Sequence, residues 1–139
     1  MTFAHRFADA FNQRDMDEIL GCFTADATYH DQFYGHFQGH DGLRKLFDRM
    51  LNESASHEWT IDRAVEDSDA GLVLAEWTFD FVVSDAVPRS AGVHLRFRGA
   101  SVFEVDSGRC RAYREYFDKG PNLVQLGFEP EPLWRALSR

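Results

Sequence analysis

Cysteine, proline and positive charge are scarce in this sequence. Its 139 residues include two cysteines, Cys22 and Cys110, which cannot build a disulfide framework, and four prolines. Lys and Arg number 15 against 23 Asp and Glu, and phosphate backbones and anionic lipid repel the resulting net charge of −8. No apolar stretch approaches the roughly 20 residues of a membrane-spanning helix. These absences argue against disulfide scaffolds, nucleic-acid partners and membrane roles.

The first residues also lack the pattern of a secretory signal. His5, Arg6 and Asp9 interrupt the region where a signal peptide needs a continuous apolar run. We therefore expect a cytoplasmic protein.

Apolar and aromatic residues are abundant. Hydrophobic residues make up 44% of the chain, and 13 Phe, 4 Tyr and 3 Trp supply its aromatic rings. This composition excludes disorder and, at this length, predicts one domain over residues 1–139 with a substantial core. Such an aromatic core can line a cavity as readily as fill one.

Helical spacing dominates the first third of the chain. Phe3, Phe7 and Phe11 recur every four residues, which places three rings on one stripe of a first helix. Asp15 followed by Glu18 has the spacing of a capping box, and apolar residues at helical spacing come next. A second helix is therefore predicted after Asp15.

A third helix is predicted between Leu43 and Leu51, where apolar residues recur at i, i+3, i+4 and i+7, and we expect Asp41 to cap it. From His57 onward the period changes to two, which predicts long strands with one apolar face. Gly99 interrupts one of these strands and predicts a bulge or a sharp bend.

The end of the chain contains a predicted hairpin and a tail. Asp106, Ser107 and Gly108 form a turn signal that leads into a last strand, Arg109 to Phe117. The following segment leads into a tail that two prolines break. Helices followed by a meander of strands predict an α+β fold, with the helices packed on one face of a bent antiparallel sheet.

Several segments resemble a known family. They are FADAFNQRDMDEILGCFTADATYHDQFYG, GHDGLRKLF, AEWTFDF and RGASVFEVDSGRCRAYREYFD. Together they resemble the SnoaL-like branch of the nuclear transport factor 2-like superfamily over nearly the whole chain, as a single SnoaL-like domain. The resemblance implies a cone, in which a strongly curved antiparallel sheet is closed by three N-terminal helices around a cavity, and commonly a dimer.

The resemblance leaves the function open. The superfamily includes ketosteroid isomerases, limonene epoxide hydrolases, polyketide cyclases and many members with no assigned activity. A fold of this kind does not determine the reaction, so the site has to be argued residue by residue.

Strand alternation identifies the first candidate catalytic residue. Tyr113, Glu115 and Phe117 share one face of the last strand, while Arg114 and Asp118 take the other. The rings mark the first face as inward, so desolvation should raise the pKa of Glu115, as a general acid or base near neutral pH requires. The alternative is a structural ion pair between Glu115 and a nearby arginine.

Tyr29 and Asp31 form a second candidate pair, because they share a face of the short strand that precedes the third helix. Asp31 matches the base position of ketosteroid isomerases. Tyr29 and Asp31 also match the tyrosine and amide that hold water in limonene epoxide hydrolase, whose base position matches Glu115. The resemblance thus implies a cluster of Tyr29, Asp31 and Glu115, in which two acids can divide the roles of acid and base.

The sequence departs from both enzymes in other places. Phe7 stands where isomerases have a helical tyrosine, and the region of Ala100 lacks their protonated aspartic acid. Trp77 and Phe79 stand where the hydrolase needs an inward arginine, and Asp80 falls on the outer face. Neither steroid isomerisation nor epoxide opening is therefore expected.

The predicted pocket is aromatic. Its walls are expected to come from five side chains: Trp59, Trp77, Phe79, Phe97 and Tyr113. A pocket of this kind with a few polar groups suits a small hydrophobic ligand. The alternative is a core that these rings fill completely.

Histidines cluster before the third helix. His30, His36 and His40 are of a type that binds metals, but no helical His pair fixes their geometry, so we expect neither a metal nor another cofactor. His36 and His40 are expected at the cavity mouth, where one could shuttle protons.

Three functions are compatible with these features. The first is a cofactor-independent enzyme that moves a proton on a small hydrophobic substrate, with Glu115 and Asp31 as acid and base and Tyr29 as hydrogen-bond donor. The second is a non-catalytic ligand-binding protein, and the third is an interaction module with the same fold. The outer sheet face is expected to form a homodimer through these residues: His94, Arg96, Arg98, Arg114 and Tyr116.

Overall fold

The computed structural model describes residues 1–138. Within these residues five helices are present: α1 (Phe3–Asn12), α2 (Met16–Gly21), α3 (Gly39–Asn52), α4 (Gly120–Gln125) and α5 (Pro130–Leu137). Six strands are present: β1 (Phe23–Asp31), β2 (Gly35–Gln38), β3 (Ser54–Asp67), β4 (Leu72–Val83), β5 (His94–Asp106) and β6 (Arg109–Tyr116). Among the helices of this part of the chain, none is long and apolar enough to cross a membrane.

The six strands form one curved sheet in the order β2-β1-β6-β5-β4-β3. Neighbouring strands are antiparallel except β1 and β6, which run parallel. The sheet does not close into a barrel, and α1 and α3 pack against its strands. The predicted α+β fold is confirmed.

The core lies between α1 and the inner face of the sheet. Phe3, Phe7 and Phe11 are all buried, as their spacing predicts. The ring of Phe7 lies at the centre, with its centroid 5.2 Å from that of Trp59 and 6.1 Å from that of Tyr113. Helix α1 thus packs against the aromatic side chains of β3 and β6.

Two helix starts test the predicted caps. The Asp15 side chain accepts a hydrogen bond from the Glu18 backbone N–H and begins α2, as expected. Helix α3 begins at Gly39, so the expected cap at Asp41 is wrong. The short strand β2 runs directly into α3 because Gly39, with φ +72°, takes a left-handed conformation between them.

Of the bulge or sharp bend predicted at Gly99, the bulge is absent. The register between β4 and β5 is unbroken there, with Gly99 opposite Trp77. A Cβ atom at position 99 would lie 2.6 Å from Cη2 and Cζ2 of the Trp77 indole. The glycine therefore makes room for a ring, and no extra residue interrupts the strand.

The turn at Ser107 and Gly108 is confirmed, since both residues take positive φ angles, +50° and +80°. The tail beyond β6 is not broken by its prolines; it forms α4 and α5. Pro130 stands in the first turn of α5, where the missing N–H has no helical partner to lose. A proline there begins a helix, which is why the predicted irregular tail is wrong.

Candidate functional site

An inner cavity of about 50 Å³ lies against the concave face of the sheet. It contains two buried carboxyl side chains, Asp31 and Glu115, which are 3% and 4% exposed. The other lining residues are mainly aromatic: Phe33, Tyr34, Met50, Glu53, Ser54, Trp59, Trp77, Phe79, Phe81, Phe97 and Phe117. Four of the five predicted aromatic wall residues are among them; Tyr113 is buried but does not line the cavity.

The alternation of β6 is as predicted. Glu115 is buried on the inner face, whereas Tyr116 is 57% exposed on the outer face. Asp118 lies beyond the strand, where its Oδ1 accepts a hydrogen bond from the Gly120 backbone N–H at the start of α4. Only one of these two carboxylates therefore reaches the cavity.

The parallel pairing of β1 with β6 brings the two acids together. Its register places Tyr29 opposite Tyr113 and His30 opposite Arg114. One residue further along, Asp31 and Glu115 extend the same register into the cavity. The resemblance implied this proximity, but nothing in the local sequence pattern says that the first strand pairs with the last.

Glu115 is held by hydrogen bonds and not by an arginine. Its Oε1 accepts from the Tyr113 hydroxyl at 2.7 Å, and its Oε2 accepts from the Gln32 backbone N–H at 3.1 Å. The Gln32 side-chain amide also donates to the Glu115 carbonyl oxygen at 2.8 Å. None of the ion pairs among residues 1–138 includes Glu115.

A chain of buried polar groups leads to Glu115. The indole Nε1 of Trp77 donates to Ser101 Oγ at 2.7 Å, and Ser101 Oγ lies 2.8 Å from the Tyr113 hydroxyl. We call these three residues the donor chain. Sequence reasoning missed Ser101, although a serine that alternates with buried Phe103 is the signal that could have identified it.

Asp31 is anchored by the backbone that follows it. Its Oδ1 accepts from the N–H groups of Phe33 and Tyr34, at 2.8 and 2.9 Å, in a turn typical of aspartate. Neither bond uses Oδ2. The carboxylate is thereby oriented while one oxygen atom remains available to a ligand.

Burial separates the titration of the two acids. It raises the pKa of Asp31 from 3.8 to about 6, although the backbone hydrogen bonds from Tyr34 and Phe33 oppose the rise. Burial raises the pKa of Glu115 well above its ordinary range, and the nearby charge of Asp31 raises it further. Because the charge of Asp31 raises the pKa of Glu115, Asp31 is the carboxyl that ionises first and Glu115 the one that keeps its proton to higher pH.

Tyr29 is buried behind this pair. Its ring stacks on that of Tyr113 with centroids 4.0 Å apart, and its hydroxyl has no hydrogen-bond partner among the described residues. Tyr29 does not line the cavity. Its position supports Tyr113 and does not place its hydroxyl against a ligand.

His36 and His40 do not lie at the cavity mouth as expected. His36 stacks on His30 with ring centroids 3.9 Å apart, and His40 Nε2 donates to the Phe23 carbonyl at 3.0 Å. Neither lines the cavity. Within residues 1–138, no three His, Cys, Asp or Glu side chains are grouped so that they could hold a metal ion.

A third acidic residue of the wall was missed. Glu53 accepts from the Tyr34 hydroxyl at 2.6 Å and from Arg49 Nε at 3.0 Å. The Arg49 guanidinium also lies over the Tyr34 ring, 4.6 Å from its centroid. The spacing of Arg49 and Glu53, four residues apart at the end of a helix, could have indicated their pairing.

A larger space adjoins the cavity, which we call the outer groove. Its volume is about 670 Å³, and its far wall comes from the β4–β5 loop and the C-terminal helices. The outer groove shares four wall residues with the inner cavity: Phe33, Tyr34, Glu53 and Phe81. These four side chains separate the acid pair from the larger space.

A curved α+β sheet with helices over an aromatic cavity defines a nuclear transport factor 2-like protein. Within this class, residues 4–113 match the SnoaL-like domain, and the chain belongs to that family. No curated protein matches the sequence significantly.

Solved structures share the fold at low sequence identity. A hypothetical protein from Catenulispora acidiphila with a ketosteroid isomerase-like fold, crystallised with trimethylamine, is 17% identical, with TM-score 0.78 over 93% of this chain and 95% of that one. A candidate polyketide cyclase from Xanthomonas campestris is 19% identical, with TM-score 0.74 over 90% of this chain and 94% of that one. An LEH-like epoxide hydrolase of M. tuberculosis is 24% identical, with TM-score 0.69 over 98% of this chain and 85% of that one. These similarities establish the fold.

Proposed function

We propose that the protein binds a small hydrophobic ligand in the inner cavity and catalyses cofactor-independent proton transfer on it. One observation carries the proposal: two buried carboxyl groups from different strands, Asp31 and Glu115, line one aromatic cavity and titrate apart. A pair of this kind supplies a base and an acid at the same pH. The charged Asp31 is the base, and the protonated Glu115 is the acid.

The reaction class that suits this pair is proton abstraction beside a carbonyl group. Asp31 Oδ2 takes a proton from carbon, the electron pair of that C–H bond moves toward the carbonyl oxygen, and Glu115 gives its proton to that oxygen. The resulting enol regains a proton at carbon when both carboxyls return to their first states. Isomerisation, cyclisation, dehydration and water addition all use such steps, and none of them needs an oxidant.

The donor chain can hydrogen-bond with Glu115 in either of its protonation states. When Glu115 is ionised, the Tyr113 hydroxyl donates to it; when Glu115 is protonated, the same hydroxyl can accept from it and donate to Ser101. Tyr113 therefore stabilises both states without moving. We assign Tyr29 the supporting role of packing against Tyr113, where the sequence predicted a donor to the substrate.

The size of the cavity limits the ligand. A volume of about 50 Å³ is small beside the roughly 300–1,000 Å³ that is usual for small-molecule pockets. The cavity therefore receives a small molecule or the reacting end of a larger one. The Catenulispora structure, which was crystallised with trimethylamine, is an example of a small ligand with this fold.

Hydrogen–deuterium exchange tests the proposal without knowledge of the natural substrate. The acidic C–H bonds of 2-tetralone, a small bicyclic ketone, exchange in D₂O, and NMR measures the rate with and without protein. We expect the wild type to accelerate exchange, and Glu115→Gln and Asp31→Asn each to reduce the acceleration by roughly two to four orders of magnitude.

Asp118→Asn is the matched control, because Asp118 is also a carboxylate close to the end of β6 but accepts a hydrogen bond from the Gly120 backbone N–H and does not line the cavity. Asp118→Asn should accelerate the exchange of 2-tetralone as much as the wild type does. A wild type that binds 2-tetralone, as a thermal-shift or NMR titration shows, and does not accelerate its exchange would contradict the catalytic proposal.

That result would favour the second candidate function, a ligand-binding module without turnover. The observation in its favour is the same small volume, because the aromatic side chains fill most of the space between helices and sheet. Binding without exchange, unaffected by Glu115→Gln, distinguishes it from the enzyme.

We further propose that the protein is a cytoplasmic homodimer formed through the outer sheet face. Val65, Leu74 and Tyr116 are exposed there by 63%, 45% and 57%, beside the exposed arginines Arg96 and Arg98. Exposed apolar and arginine side chains of this kind are enriched at interfaces. Light scattering should give twice the 16.0 kDa of one chain, and a value for one chain at micromolar concentration would contradict the dimer.

A further inference from the structure

The outer groove has the dimensions of a ligand site. Its volume of about 670 Å³ falls within the roughly 300–1,000 Å³ that is usual for small-molecule pockets. The inner cavity, by comparison, has room for the reacting atoms only. A ligand with more than a few heavy atoms exceeds the inner cavity, and the outer groove is the larger space that adjoins it.

The charge of the outer groove is opposite to that of the whole protein. Its lining contains three cations, Arg49, Arg89 and Lys119, and one carboxylate, Glu53, which gives 3 − 1 = +2. The full chain has a net charge of −8. An excess of one sign of charge on a concave surface focuses the potential there, so the outer groove attracts anions to a protein that otherwise repels them.

The walls that carry these cations are tied together. Ser90, which follows Arg89 in the β4–β5 loop, donates through Oγ to the Leu126 carbonyl at 2.7 Å. Lys119 Nζ donates to the Gln32 carbonyl at 3.1 Å. These bonds hold the loop, the end of β6 and the C-terminal helices around one space.

The two arginines differ in their freedom. Arg49 is engaged by Glu53 and lies over Tyr34. Arg89 is exposed, and none of the ion pairs found among residues 1–138 includes it. Arg89 is therefore the cation whose guanidinium is available to a ligand, since a planar guanidinium binds carboxylate and phosphate through paired hydrogen bonds.

We propose that the outer groove binds the anionic head, a carboxylate or a phosphate, of an amphipathic ligand whose hydrophobic end points toward the inner cavity. The arrangement also sets the direction of binding. The negative charge of Asp31 in the inner cavity repels an anion, whereas Arg89 in the outer groove attracts it. The groove site stands by itself; only the statement that the inward end reacts rests on the proposed function.

Three naphthalene derivatives test the site, because they share one ring system and differ in the head. They are 2-naphthoate, 2-naphthyl phosphate and the neutral 2-naphthamide. Titration calorimetry should show that at least one anion binds about tenfold more tightly than the amide, and added salt should weaken only the anion. The tighter anion identifies the head as carboxylate or phosphate.

Arg89→Gln should weaken the tighter anion by roughly five- to tenfold and leave the amide unchanged. Arg63→Gln is the matched control, since Arg63 is an exposed arginine on β3 that lies outside the outer groove. It should leave both affinities unchanged. Equal binding of anions and amide, wild-type affinity in Arg89→Gln, or no binding of any probe below millimolar concentration would each overturn the proposal.

The outcome can be separated from that of the proposed function. Head-group selectivity is measured with naphthalene probes that carry no exchangeable C–H bond beside a carbonyl group, so its result does not depend on catalysis by Asp31 and Glu115. Head-group selectivity that Arg89 controls, without any 2-tetralone exchange, would support the groove site and contradict catalysis. Exchange of 2-tetralone without head-group selectivity would support catalysis and contradict the groove site.

Discussion

The hydroxyl of Tyr113 donates to Oε1 of Glu115 at 2.7 Å, across two residues of the same strand face. The first hydrogen bond of the donor chain can run in one direction only, from Trp77 to Ser101, since an indole N–H can only donate. Ser101 therefore always accepts at one end, and its own proton and that of Tyr113 can adjust to the state of Glu115. The acid is thus coupled to Tyr113 and Ser101, which do not line the inner cavity.

Tyr113→Phe removes that coupling. The hydrogen bond from Tyr113 lowers the pKa of Glu115 against the effect of burial, so the variant should raise this pKa further, as ¹³C NMR of the Glu115 carboxyl would show. It should also lower the free energy of unfolding by roughly 1–2 kcal/mol, because Glu115 and Ser101 each lose a partner. Tyr116→Phe, on the exposed face, should change neither. An unchanged titration in Tyr113→Phe would contradict the role of the hydroxyl.

Stability should depend on pH through Asp31. Its pKa rises on folding from 3.8 to about 6, so the folded protein binds this proton more tightly than the unfolded chain. The stabilisation is complete below about pH 4 and is lost as the pH rises through about 6. The free energy of unfolding of Asp31→Asn minus that of the wild type should therefore be roughly 1–3 kcal/mol larger at neutral pH than in acid.

Urea unfolding curves at several pH values measure this difference. The same experiment on Glu115→Gln should give the same sign, because burial raises the pKa of Glu115 as well. A carboxylate held in a salt bridge would behave oppositely, and its removal would destabilise the protein at neutral pH. A wild type that gains stability over both variants as the pH rises would show that the acids are paired with cations.

Gly99→Ala should be strongly destabilising. The new Cβ would lie 2.6 Å from the Trp77 indole, so the ring or the strand must shift, which disturbs the hydrogen bond from Trp77 to Ser101. We expect a loss of roughly 1–3 kcal/mol in the free energy of unfolding. Gly21→Ala is the control: it lies at the end of α2 with nothing within 4 Å of its Cβ, and alanine favours helix there. Equal stability of the two variants would contradict the close approach.

Trp77→Phe should cost more stability than Trp59→Phe. Both indoles are buried, 2% and 5% exposed, and both variants lose the same volume. Only Trp77 Nε1 has an acceptor, Ser101, whereas Trp59 Nε1 has no partner among the described residues. The difference in unfolding free energy should be about 1 kcal/mol, the usual value of one buried hydrogen bond. Thermal or urea unfolding measures it, and a larger loss in Trp59→Phe would indicate an unseen partner of that indole.

Local periodicity predicts which residues face inward, and this part of the site could be read from the sequence. The spacing of Phe3, Phe7 and Phe11 identifies the buried stripe of α1, and the alternation along β6 separates Glu115 from Tyr116. Both patterns depend only on helix and strand geometry, which acts within a few residues.

Other features depend on contacts that periodicity does not encode. The neighbouring positions of Asp31 and Glu115 require the parallel pairing of β1 and β6, and the family resemblance supplied that expectation. In the sequence Ser101 is one polar residue of a strand, and its role follows only from its hydrogen bonds with Trp77 and Tyr113 in the structure. Pro130 is a helix breaker in most contexts and a helix start here, so only the observed α5 decides between the two.

The parallel pairing of β1 with β6 also fixes when the acid pair can exist during folding. Gln32 and Glu115 are 83 residues apart in the chain, so their contact has one of the largest loop-closure costs in the molecule. The ribosome synthesises α1, β1 and β2 well before β6. Until then Asp31 has no second carboxyl beside it, and one edge of β1 lacks its partner strand. The last long strand to be made therefore both completes the sheet and creates the site.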